Sequence, residues 1–133
     1  MKQIFELKEV LNNIHEGSDV FNKIKKIQMD YSQENFLLFC LNTKNQVVKK
    51  QIVFKGSADG CLLDPKVIFR NALLSKAVKV IIAHNHPSGC LKPSNEDEDI
   101  YKRMKDAGEM IDIKVIDSIV FNKKEFYSMQ ANN

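Results

Sequence analysis

Val78-Lys79-Val80-Ile81-Ile82-Ala83-His84-Asn85-His86-Pro87, continued by Ser88-Gly89-Cys90-Leu91-Lys92-Pro93-Ser94-Asn95-Glu96-Asp97, joins a strand-like run to a helix start through two histidines. Its first half is short, apolar and β-branched, as expected of a buried strand rather than a helix. His84 and His86 end that strand, and a side-chain period of two points both imidazoles to one face. Pro87 cannot donate to a ladder and stops the pairing, which leaves the histidines at a strand end. In the second half, Pro93 precedes Ser94 as N-cap of a helix, and Asp97 completes an S-x-x-D capping pattern.

Asp97 has two readings at this point. As a capping residue its carboxylate only satisfies backbone N–H groups. The helical phase suggests more, because Asp97, Ile100, Met104 and Ala107 fall on one inward stripe, and an acid on a buried stripe needs a partner. Zinc accepts imidazole nitrogen and carboxylate oxygen at about 2.0–2.2 Å, and a catalytic site has three protein ligands with a fourth position open to water. His84, His86 and Asp97 supply that set. Glu96, Glu98 and Asp99 fall off the stripe and read as a solvated first turn that complements the helix dipole, with Glu98–Lys102 and Asp99–Arg103 as i,i+4 pairs.

His84-x-His86-Pro87 followed by Ser94-x-x-Asp97, with ten residues between His86 and Asp97, resembles the JAMM metalloprotease motif of JAB/MPN domains. The finer pattern His84-Asn85-His86-Pro87-Ser88-Gly89 with Pro93-Ser94 resembles the bacterial RadC family. The resemblance covers about residues 14–130. It implies a glutamate at the start of an earlier strand as general acid/base, carried here by Glu34 in Gln33-Glu34-Asn35-Phe36; from Asn35 to Asn95 the chain contains no other glutamate. It also implies hydrolysis of a peptide or isopeptide bond with one Zn2+ ion. In that scheme Glu34 moves the proton, and Ser94 either donates to the tetrahedral oxyanion or only caps its helix. Two positions depart from the RadC pattern: Gln51 stands where relatives carry an acid, and Ser118 follows Asp117 where they carry histidine.

Around this centre the chain reads as one α/β domain over residues 14–133 behind a leader at 1–13. Ser18 to about Met29 is expected to be a helix capped by Ser18, with Val20, Ile24 and Ile27 on its stripe. Phe36 to Leu41 is a buried strand, turned by Asn42-Thr43-Lys44-Asn45 into a second strand from Val47 to Phe54. Lys49 and Lys50 mark that second strand as an edge. Asp64-Pro65 opens a helix running to about Lys76, Gly108 is expected to cap the motif helix, and Ile113 to Phe121 turns at Asn122–Glu125 into Phe126-Tyr127. The order helix, hairpin, helix, strand, helix, two strands gives a mixed sheet flanked by helices, with the cytidine-deaminase-like layering of JAB/MPN domains as the implied fold.

Composition excludes several classes. The chain of 133 residues carries a formal charge of +3, too small to argue by itself for nucleic acid; Lys23, Lys25, Lys26, Lys49 and Lys50 read as solvated faces. No stretch is long and apolar enough to cross a membrane and no signal-peptide core is present, so a cytoplasmic location is expected. Cys40, Cys61 and Cys90 fit neither a disulfide framework nor a C-x-x-C site. Cys40 reads as core; Cys90, in the motif loop, reads as an incidental thiol, with a fourth metal contact or an oxidation switch as the alternative. Asp59 is a runner-up acid, better read as a turn residue, and His15 reads as exposed. Two other function classes compete: a DNA-repair-associated or DNA-binding accessory role, for which the chain lacks a preceding helix-hairpin-helix region, and a metal-stabilised interaction module without turnover. The literal His-Asn-His is not an HNH nuclease motif, and a zinc deaminase needs H-x-E with P-C-x-x-C.

Overall fold

The computed structural model describes residues 13–56 and 63–132. The 1–12 part of the expected leader, Asp59 and Cys61 lie outside the described residues. Among the described residues three helices and five strands follow one another as α1 (Gly17–Ile24), β1 (Glu34–Leu41), β2 (Val47–Gly56), α2 (Pro65–Leu74), β3 (Lys79–Asn85), α3 (Asn95–Ile111), β4 (Lys114–Phe121) and β5 (Phe126–Ser128). This is the expected order.

The strands form one mixed sheet in the order β2-β1-β3-β4-β5. Only β3 and β4 run parallel, and α3 supplies the crossover that a parallel pair requires. Every residue of β1 is buried, and its side chains alternate between two cores. Phe36, Leu38 and Cys40 pack with Val80 and Ile82 under α2 and α3, where Ile68, Phe69, Tyr101 and Met104 cover them. Leu37, Phe39 and Leu41 pack with Ile81, Ala83, Ile119 and Phe121 under α1. Lys49 and Lys50 are exposed on β2, which is an edge strand as expected.

Five local expectations are corrected. Helix α1 begins one residue before Ser18, with Glu16 at its N-cap and its backbone N–H donating to Asp19. It ends at Ile24 rather than Met29, because Lys26 and Ile27 donate to carbonyls three residues back and tighten the last turn. On α3 the buried stripe is Asp97, Tyr101, Met104 and Gly108, with Ile100 and Ala107 half-buried at its margin. The ion pair on that helix is Lys102–Asp106, 3.4 Å apart, in place of the Glu98–Lys102 and Asp99–Arg103 pairs. Gly108 is not the cap: Asp112 takes the left-handed conformation (φ 59°) and ends the helix. A Cβ at Gly108 would run into the Ile113 carbonyl oxygen, so this glycine permits a close backbone approach.

Candidate metal centre

Three elements converge at the C-terminal end of β3. Strand pairing sets Phe36 of β1 opposite His84, and Val120 of β4 opposite His84 on the other side. The Phe36 ring stacks on the His84 imidazole, with centroids 4.8 Å apart and 16° between planes, so one rotamer of His84 is enforced. His86 lies one residue past the strand end, where Cys90 O is 2.8 Å from its Nδ1. Helix α3 then begins at the site. Ser94 Oγ accepts from the Asp97 backbone N–H at 3.1 Å, and Asp97 Oδ2 accepts from the Ser94 N–H at 2.8 Å, closing the expected capping box.

The Asp97 carboxylate does more than cap. Its Oδ1 lies 3.0 Å from His84 Nε2, and its Oδ2 lies 2.9 Å from His86 Nε2. Ligand atoms from His84, His86 and Asp97 all fall within 4.8 Å of one another, which makes them the candidate metal-holding group among the described residues. Cys90 is not part of it, and its side chain is exposed.

The chemistry of these donors fits a cation. With the Cys90 carbonyl facing Nδ1, the His86 proton belongs on that nitrogen, and the Nε2 lone pair then meets a carboxylate oxygen. Such a contact needs a proton or a cation between the two atoms. His84 is 1% exposed, and neither of its ring nitrogens has an aligned hydrogen bond; the Nε2 approach to Asp97 is close but off-axis. A buried ring with both nitrogens unsatisfied is costly, and a metal bound at Nε2 relieves that nitrogen.

Electrostatics point the same way. Burial raises the Asp97 pKa, but the close approach of His84 and His86 outweighs it and holds the carboxyl well below its usual range. His86 is pushed up, chiefly by its bond to Asp97. Glu34, the first residue of β1, shares a face with Phe36 and therefore with His84; continuing the β1–β3 register by two places sets it opposite His86. Its side chain is mostly buried, and desolvation raises its pKa against the nearby histidines. The sequence-predicted residues Glu34, His84, His86, Ser94 and Asp97 thus gather at one end of the sheet.

Sequence reasoning passed over the surroundings. A cleft of about 310 Å³ opens beside His86, lined by Tyr31, the Pro87–Gly89 loop and the Asn122–Glu125 turn. Asn122 braces that loop by donating to Gly89 O at 2.9 Å. A larger cavity of about 640 Å³, near Ile14, Ile81 and Asp117, touches none of the five residues, so size does not mark the chemistry. Ser118 is buried level with Ile82, on the His84 face, so the RadC histidine is replaced there by a small side chain. Gln51 pairs with Leu38, farther along the sheet from the histidines than Phe36.

The comparisons agree with this geometry. A family model described as RadC-like JAB domain matches residues 14–133. A UPF0758 protein of Chlorobium chlorochromatii is 36% identical over 120 residues, covering 90% of this chain and 54% of that protein. A UPF0758 protein of Geobacillus thermodenitrificans is 40% identical over 99 residues, covering 74% and 44%, and one of Flavobacterium johnsoniae is 35% identical over 118 residues, covering 89% and 52%. The chain spans about half the length of the curated relatives it matches. With a five-stranded mixed sheet between helices and two histidines closing on the aspartate of a capped helix, the chain belongs to the RadC-like JAB domain family.

Proposed function

We propose that this chain is a zinc-dependent metallohydrolase of the JAMM type, cutting an amide bond in a peptide or isopeptide substrate. The observation that carries the reading is the approach of His84 Nε2 and His86 Nε2 to opposite oxygens of one buried carboxylate, at 3.0 and 2.9 Å. A helix cap has no need of either histidine.

His84, His86 and Asp97 would hold the ion, which when bound supplies a Lewis acid and brings water into the neutral titration range, with a pKa of about 7. Glu34 accepts the proton of the attacking water on its carboxylate and returns it to the leaving amine, a role worth about 10²–10⁴ in rate. Burial favours this role, since a carboxyl raised from its usual pKa is a better proton acceptor. Ser94 would add oxyanion donation to its cap: its oxygen accepts from Asp97 N–H, which leaves the hydroxyl hydrogen available to a developing oxyanion. The cleft that borders His86 is open to a substrate chain approaching from that side.

The test is Glu34→Gln against the parent. Zinc content stays the same in both, while hydrolysis across a panel of peptide and isopeptide substrates drops by about 10²–10⁴ in the variant. An equally active variant removes Glu34 from the mechanism, and a parent protein that takes up no zinc at saturation overturns the whole assignment.

A further inference from the structure

Glu34 makes no side-chain hydrogen bond among the described residues, so its place at the centre is set through its backbone alone. The β1–β3 ladder does not supply that control. Its last pair is Phe36 with His84, so Glu34, paired with Gly56 of β2 on one side, has no rung on the β3 side, where the two histidines lie. What continues the join is a side chain. Asn85 sits between the two histidines and, by strand alternation, points to the opposite face of the sheet. Its Oδ1 accepts from the Asn35 backbone N–H at 2.8 Å and from Asn35 Nδ2 at 3.1 Å. Its Nδ2 donates to Gln33 O at 3.0 Å and to Tyr31 O at 3.4 Å. Asn35 in turn donates to Asp30 O and Gln33 O at 2.9 and 3.1 Å.

Both asparagines are 0% exposed, and the Asn35 Oδ1 is buried without a partner. The pair meets the Asn35 N–H and the carbonyls of Asp30, Tyr31 and Gln33 where the β1–β3 rungs have stopped, at the cost of that one unmatched oxygen. The network encloses residues 31–35 and closes on both backbone neighbours of Glu34.

We infer that Asn85 is the positioning residue for Glu34: its amide replaces the missing rungs of the β1–β3 ladder and fixes the distance from the Glu34 carboxylate to the His84–His86–Asp97 group. The inference rests on the proposed role of Glu34 as proton acceptor. One residue pair, on the far side of the sheet from the chemistry, thereby ties the base to the strand that carries two of the ligands.

The test uses Asn85→Ala and the isosteric Asn85→Asp, with Co2+ as probe. In metal-free protein, Asn85→Ala makes the Asn35 amide exchange roughly tenfold faster, as expected for one lost buried hydrogen bond, while Leu38 and Phe39 keep their protection. Asn85→Asp keeps the acceptor and loses both donors, so it loosens residues 31–33 with a smaller effect at Asn35. Co2+ affinity stays within about threefold of the parent in both variants, because the ligands are untouched. The Co2+-induced relaxation of the Glu34 carboxyl carbon falls by about twofold or more, since displacements near 1 Å are the scale that matters for catalysis. Should Asn85→Ala fail to fold, Asn85→Asp decides through faster exchange at Gln33, in the segment its lost donors held, and through the same Glu34 relaxation. Unchanged Asn35 protection, or unchanged Glu34 relaxation once that protection is lost, overturns the inference. A parent that binds no Co2+ overturns the proposed function instead, and the exchange measurement then still decides whether Asn85 fixes the strand.

Discussion

Replacing Asp97 separates its two jobs, because alanine removes both and asparagine removes one. In metal-free protein Asp97→Ala loses the N-cap bond from Ser94, worth about 1 kcal/mol, and the charge-assisted contact with His86, worth about 1.5–3 kcal/mol. Relief of carboxylate desolvation works against these losses, so the net destabilisation is about 2–3 kcal/mol. Asp97→Asn keeps a carbonyl oxygen for the Ser94 N–H and gives up the charge, costing about 1–2 kcal/mol. Urea unfolding in chelator measures both. The decisive arm adds zinc. At a hundredfold excess over Kd the parent gains about 2.7 kcal/mol, whereas a variant whose Kd is a hundredfold weaker gains about 0.4 kcal/mol. Both variants are expected near the lower figure, although only alanine loses the cap. If zinc stabilises Asp97→Asn as much as the parent, Asp97 is a capping residue and no ligand, and the metal assignment fails with it.

The remaining predictions follow from other parts of the molecule. His86 is raised by the Asp97 carboxylate, so its contribution to metal-free stability is complete below an unfolded pKa of about 6.5 and is lost as pH rises through its higher folded value; parent minus His86→Gln in urea melts from pH 6 to 8 isolates it. The same proton must leave before a metal binds, so zinc affinity falls about tenfold per pH unit below the folded pKa, and a flat profile in a competition titration contradicts the contact. Gly108→Ala gains about 1 kcal/mol of helix propensity but forces a methyl against the Ile113 carbonyl, for a net loss of about 1–2 kcal/mol by urea unfolding; a stabilised variant refutes the packing argument. Cys90→Ser leaves zinc stoichiometry and affinity unchanged, since the thiol lies outside the ligand group; loss of zinc would restore Cys90 as a fourth ligand.

The strands and the His84–His86–Asp97 group are legible because their signals are local. A β-branched run ending in His-x-His has one periodicity, and Asp64-Pro65 and Ser94-x-x-Asp97 are helix starts written in side-chain chemistry. What could not be read depends on tertiary contact. The buried face of α3 is turned toward Tyr101 and Gly108 because Phe69 and Ile113 press there, and helical spacing alone admits either stripe. Gly108 reads as a cap in sequence because the backbone segment that crowds it is five residues away, across a turn. The part played by Asn85 was hidden for the same reason: its partners lie fifty residues earlier, and between two histidines an asparagine looks like spacing.

The two readings of Asp97 prove not to be rivals. One carboxylate closes the capping box of α3 through Oδ2 while the imidazoles of β3 and its exit loop approach Oδ1 and Oδ2. A cation held at this point would therefore act on the first turn of α3 and on the end of β3 together, and α3 is the crossover that makes β3 and β4 neighbours. Metal binding should accordingly protect amides along the β3–α3 junction as a unit, rather than only those beside the ligands. Hydrogen exchange with and without zinc tests this: protection gained at His84–Asn85 and Asp97–Tyr101 together supports a coupled centre. Protection confined to one of the two segments would mean that the ion is held by the strand or by the helix, and that the site described here is not what holds it.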